Sequence, residues 1–168
     1  MVPPAVERGG ATRNPDRAAL RTKPGTYVLW LQLGTSLRLP VGGLGPVEFL
    51  VGHYAYVGSA FGPGGIAARL GRHLRTKKCR RWHVDHLSGV ARPRAAWVSY
   101  DATRYEHRWA AALAALPGAR VPVAGFGASD CRCPSHLIWF RRQPSLRRFR
   151  AACLPDTPGI HVITRICG

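Results

Sequence analysis

A mixed α/β domain of the α+β kind is what this sequence predicts, on three observations. Its 168 residues, 46% of them hydrophobic, suffice for one core. β-Branched and aromatic runs alternate with Gly-Pro turn chemistry, and two later segments repeat their apolar residues at helical spacing.

Taken in order, residues 1–23 carry Pro3, Pro4, Pro15 and the pair Gly9-Gly10 with no sustained apolar period, so a flexible leader is expected. The domain proper is expected over 24–142. Gly25 to Leu33, GTYVLWLQL, has the composition of a strand, and Leu37–Leu39 and Val47–Leu50 read as short strands separated by turn residues. Tyr54 to Ser59 closes this sheet segment. After the break Gly62-Pro63-Gly64-Gly65, Ile66, Leu70 and Leu74 recur at i, i+4 and i+8, which describes a helix with one buried stripe. A short helix is expected over Trp82 to Leu87 and a strand over Ala95 to Ser99. Tyr105, Trp109, Ala112, Leu113 and Leu116 form the stripe of a second helix, which Pro117-Gly118 ends. Leu137 to Phe140 reads as a last core strand, and 143–168 as a basic C-terminal extension, helical toward Arg150.

Lys and Arg number 25 against 8 Asp and Glu, a formal net charge of +17. Arg far outnumbers Lys, which favours bidentate contacts to phosphate. High-GC codon usage would raise the Arg share too, but it does not explain the shortage of acids. A polyanionic partner is expected, DNA in preference to RNA. No run of 18 apolar residues exists and no secretory signal opens the chain, so a cytoplasmic protein without a membrane partner is expected, and no obligate protein partner is evident. The five cysteines, Cys79, Cys131, Cys133, Cys153 and Cys167, are irregularly spaced, which points to reduced thiols.

Hydrolysis of a phosphodiester needs a deprotonated incoming oxygen, neutralised phosphoryl oxygens and a stabilised leaving alkoxide. Tyr27 and Tyr56, on adjacent strands, could reach one water or phosphate, although strand tyrosines commonly only pack. Arg69 would grip phosphate oxygens, and His73, four residues on, shares its side of the helix. A solvated basic face is the bland alternative for both. Glu106 would carry a hard cation such as Mg²⁺; equally, Thr103 to Glu106 matches a capping box. Asp85 could support His83, or simply cap or pair. Cys131, Cys133 and His136 suggest zinc, but their spacing is not that of paired knuckles, and a fourth ligand would have to be Cys79 or a distant histidine.

Gly25-Thr26-Tyr27, Tyr56-Val57-Gly58-Ser59, Arg69 to His73 and Glu106, in that order, resemble the GIY-YIG nuclease superfamily. The longer string to Phe140, with Trp82-His83-Val84-Asp85 and Gly125 to His136, resembles more narrowly its Uri-type branch, over about two-thirds of the chain. The resemblance implies a small three-stranded antiparallel sheet flanked by helices and an endonuclease dependent on Mg²⁺ or Mn²⁺. It implies Tyr27 as general base or water positioner, Tyr56 in support, Arg69 as phosphate clamp, Glu106 as metal ligand, and His73 and His83 as auxiliary residues. Thr26 and Val57 stand where the family name has isoleucines, and the long stretch Val28 to Ala55 requires an added hairpin. The backbone of the nucleic acid would lie on Arg72, Arg75, Lys77, Lys78, Arg80 and Arg81. The rival readings are a non-catalytic DNA- or RNA-binding module on the same fold and a protein that contacts structured RNA.

Overall fold

The computed structural model describes residues 20–75, 78–153 and 159–164, and its frame is strand β1 (Gly25–Leu33). Side chains alternate across a strand, so Tyr27, Leu29, Leu31 and Leu33 face one side while Val28 and Trp30 face the other; both sets are buried. That is why this segment is apolar at nearly every position instead of at every second one.

Around β1 the sheet is antiparallel throughout. Strand β4 (Gly52–Ala60) pairs with it from Gly25 opposite Ala60 to Leu33 opposite Gly52, and β5 (Arg92–Ser99) flanks its other edge. Strand β6 (Leu137–Phe140) adds outside β4 and β7 (His161–Ile163) outside β5, giving the order β6-β4-β1-β5-β7. A separate two-stranded hairpin, β2 (Leu37–Pro40) with β3 (Pro46–Phe49), fills the stretch between the two tyrosine motifs, as its length required.

Helices cover both faces. On the Tyr27 side lie α1 (Gly65–His73), α2 (His83–Leu87), the hairpin and Phe126, with Ile66, Leu70, Val84 and Leu87 packed inward. Against Trp30 and Trp97 lie α3 (Glu106–Ala114) and α4 (Leu146–Cys153). Phe149 of α4 stacks on Trp97 at 5.2 Å and meets Trp109 of α3 edge-on at 5.3 Å between ring centroids.

The fold class is as the sequence predicts, but the main sheet has five strands where three were expected. Leu137–Phe140 and His161–Ile163 supply the two rims. Residues 146–153 and 159–163 of the expected extension therefore complete the sheet and its second layer. Of the expected leader, residues 1–19 lie outside the described residues, while residues 20–23 are docked. The backbone N–H groups of Ile66 and Ala67 donate to the carbonyls of Lys23 and Arg21 at 2.9 and 3.1 Å, which satisfies two of the open donors at the start of α1. Among the described residues no helix is long and apolar enough to cross a membrane.

If α4 is part of the core, Phe149→Ala should cost about 3–5 kcal/mol in urea unfolding, the usual loss for a buried aromatic ring. A change within the range of a surface substitution would show that α4 is dispensable.

Candidate functional site

A polar cleft of about 370 Å³ opens at the end of the sheet where β1 begins and β4 finishes. Tyr27, Tyr56, Arg69, Arg81, His83 and Glu106, named from the sequence, all line it, joined by Ser59, Arg104 and Asp130. A larger groove, about 460 Å³, lies elsewhere, between β3 and the 120–123 segment; it is mainly apolar and holds none of these groups.

Register sets the two phenols side by side. Tyr56 stands opposite Leu29, and Tyr27 opposite Gly58, on the same face of neighbouring strands. A side chain at Gly58 is impossible without moving Tyr27, because a Cβ there would lie 2.4 Å from the phenol oxygen. Gly127 does the same for Tyr56: its φ is +69°, and a Cβ would come within 2.9 Å of that ring.

Tyr27 is almost fully buried and its hydroxyl lies 2.8 Å from His73 Nε2. Behind it, His73 Nδ1 is 3.7 Å from Asp85 Oδ1. Asp85 is gripped from several sides: Arg72 donates to both its oxygens at 2.9 and 3.0 Å, and the backbone N–H groups of Arg81 and Trp82 donate to Oδ2 at 2.9 and 3.0 Å. Burial raises the Asp85 carboxyl, but the neighbouring His73 and the bonds from Arg72 and the two amides outweigh it and hold the group far below the usual carboxylate range. Burial lowers His73 from its ordinary value, with Asp85 pulling the other way, and burial followed by the neighbouring Tyr56 pushes Tyr27 well above 10. At neutral pH the row is therefore a phenol, a neutral imidazole and a carboxylate.

On the opposite wall Glu106 opens α3. Its Oε2 accepts from Ser59 Oγ at 2.6 Å and its Oε1 lies 3.1 Å from His136 Nδ1. Burial raises this carboxyl too, yet His136 and Ser59 bring it below its ordinary value, so Glu106 is ionised. The capping box with Thr103 does not form: α3 begins at Glu106 itself, and Thr103 N–H instead bonds Asp101. What fixes this helix start is Thr26, whose buried Oγ1 accepts the Tyr105 N–H at 3.1 Å.

The cations divide into two groups. Arg72 is held by Asp85 and the Cys79 carbonyl, and Lys78 by the His73 carbonyl and Ser88 Oγ, so these two hold the fold's own groups in place of an outside phosphate. Arg75, Arg80 and Arg81 are exposed, and Lys77 lies outside the described residues. Arg69 stacks over Trp82 at 4.5 Å, with no carboxylate paired to it among the described residues. Arg104, not singled out from the sequence, stacks over Phe61 at 4.4 Å on the same rim.

His73 stands behind Tyr27, outside the lining. His83 Nδ1 accepts the Gly127 N–H at 3.1 Å, and Asp85, expected beside His83, belongs to His73 and Arg72 instead. Ser59 and His136 as partners of Glu106 were not anticipated. Only the string Gly125 to His136 hinted that this loop approaches the site.

The family described as Domain of unknown function DUF123 matches residues 26–157. No curated protein and no solved structure matches the chain.

Replacing Asp85 with Asn should destabilise the protein by roughly 3 kcal/mol at pH 7, since Arg72 loses a buried counter-charge. A carboxylate with a depressed folded pKa stabilises above its unfolded value of about 4 and loses that contribution as pH falls. The gap between wild type and D85N in denaturant midpoints should accordingly shrink below about pH 4; a gap constant from pH 7 to 3 would contradict the network.

Proposed function

The chain belongs to the DUF123 family, and from its cleft we propose that it is a metal-assisted endonuclease of the GIY-YIG kind, hydrolysing phosphodiester bonds in nucleic acid, DNA in preference to RNA. One observation carries this reading. Two phenols, a guanidinium with no carboxylate partner among the described residues and an ionised carboxylate share a single polar cleft, in a chain of net charge +17.

Arg69, kept in place by the Trp82 ring, presents its fork of donors to the non-bridging oxygens of the scissile phosphate, and Arg81 and Arg104 extend the positive rim. Tyr27 is too deeply buried to exist as a phenolate. It can accept a proton from an attacking water only as it passes its own to His73 Nε2, 2.8 Å away. The imidazolium that results faces Asp85, which remains ionised and offsets its charge. Tyr56, beside Tyr27 and open to the cleft, orients the water or a phosphate oxygen.

Glu106 fits a hard divalent cation, because it is an oxygen ligand held ionised and facing a polar space. Glu106 would hold Mg²⁺ or Mn²⁺, which when bound supplies positive charge to the phosphoryl oxygens. Ser59 and His136 keep that carboxylate aimed.

The burial of Tyr27 also favours a second reading, a basic binding module on the same fold that performs no chemistry. It calls for salt-sensitive binding that survives chelation and leaves the substrate intact.

Plasmid, branched DNA and structured RNA incubated with Mg²⁺, Mn²⁺ or EDTA discriminate the two. Nicking should require metal, fall at least about 100-fold in Tyr27→Phe, and be lost in Glu106→Gln while binding persists. Equal nicking by wild type and E106Q would overturn the mechanism. His73 must be neutral to receive the proton, and burial lowers its pKa, so the acid limb of the rate profile should lie below the ordinary histidine value of about 6.5. Binding should weaken with salt by about 0.9 logarithmic unit per phosphate contact on duplex DNA.

A further inference from the structure

Next to the cleft, the loop 125–136 and helix α3 bring together four groups that this mechanism does not use as metal ligands. His107, one residue after Glu106, faces Cys131, Cys133 and His136, and one ligand atom from each of the four lies within 4.8 Å of all the others. His107 Nδ1 is 2.8 Å from Cys133 Sγ, and His136 Nε2 is 3.4 Å from Cys131 Sγ. Each sulfur thus touches a different imidazole. His136 is nine-tenths or more buried, the two cysteines are half-buried and His107 stands at the surface.

We propose that His107, Cys131, Cys133 and His136 bind a zinc ion tetrahedrally, as a clip that fastens the 125–136 loop to the start of α3. Two thiolates and two imidazoles are the donor set that selects zinc over a hard cation. In a closed tetrahedron with Zn–S near 2.3 Å and Zn–N near 2.0 Å, ligand atoms stand about 3.3–3.8 Å apart. The cluster spans this range, with His107 Nδ1 and Cys133 Sγ closer at 2.8 Å, His136 Nε2 and Cys131 Sγ inside it at 3.4 Å and all four atoms within 4.8 Å of one another, so closing on an ion takes side-chain rotation. Binding takes Zn²⁺ and two thiols to a neutral bis-thiolate centre and releases two protons to solvent, with no change of oxidation state.

His136 gives the clip its second consequence. Its Nδ1 faces Glu106 Oε1 at 3.1 Å while its Nε2 points into the cysteine cluster. With its proton on Nδ1, beside the carboxylate, His136 would offer the Nε2 lone pair to the zinc, the carboxylate–histidine–metal arrangement that orients imidazole ligands. The loop tethered this way also carries Gly127, which lies against Tyr56, and Phe126, buried in the core beside it.

This site stands independently of the nuclease reading, and the experiment separates them. Full-length protein purified under reducing conditions without chelator should contain one zinc per chain by atomic emission. After exchange into Co²⁺ it should show intense d–d bands and thiolate-to-cobalt charge transfer. Cys131→Ser and Cys133→Ser should each lose most of the zinc, while Cys79→Ser keeps it. Should the loop variants fail to fold, the wild-type cobalt spectrum still decides. Wild-type protein without stoichiometric zinc that does not take it up on addition, a cobalt complex without thiolate charge transfer, or full zinc content in C131S or C133S would each overturn the assignment. Loss of zinc together with intact nicking would leave the cleft's chemistry standing, and bound zinc with no nicking under any metal would leave the clip standing.

Discussion

Everything in this fold depends on β1 being buried on both sides. A strand with covered faces must present apolar side chains in both directions, and each direction then requires its own layer of helices. The cleft is where the two layers end together. Tyr27 belongs to the layer under α1 and α2, Glu106 to the helix that covers the other layer, and only at the start of β1 do the two come within reach of one ligand. Thr26 is the joint: buried between them, it hands its hydroxyl to the first turn of α3, a bond that an isoleucine at this position would lack.

The electrostatics follow a different logic from the surface. With 25 basic and 8 acidic side chains, acids are scarce, and Asp85 and Glu106 are placed where hydrogen-bond donors outweigh the effect of burial and keep them charged. Asp85 is the inner anchor, binding Arg72, the turn before α2 and the far side of His73. Lys78 reaches into the same region. Part of the positive run 69–81 is therefore internal wiring, and its outward field comes from the remaining arginines.

Much of this arrangement was legible in the sequence because it follows local rules. Strand composition gave β1, β4 and β6, the repeat of Ile66 and Leu70 gave α1, and the stripe through Trp109 and Leu113 gave α3. The helix toward Arg150 was expected, but its place in the core and the strand after it were hidden for a physical reason: α4 buries a single side chain, Phe149, on an otherwise basic helix, and β7 is three residues long. Neither produces a period. In the site, Tyr27, Tyr56, Arg69 and Glu106 were found, whereas the links Tyr27 to His73, Ser59 to Glu106 and His107 to Cys133 span 46, 47 and 26 residues. Pairings of that reach are set by sheet register and loop path, which no local pattern encodes. The glycines at 58 and 127 were visible as letters, but only the fold shows that each is the space a tyrosine occupies.

The order of strands has one more effect. The long members, β1, β4 and β5, are all interior, while the rims are four residues at β6 and three at β7. Open backbone at a rim is a template on which a foreign chain can add itself, and the hazard grows with the length of the unpaired row. With such brief rims among the described residues, one of them followed by a pair of arginines, the sheet offers little purchase for cross-β association.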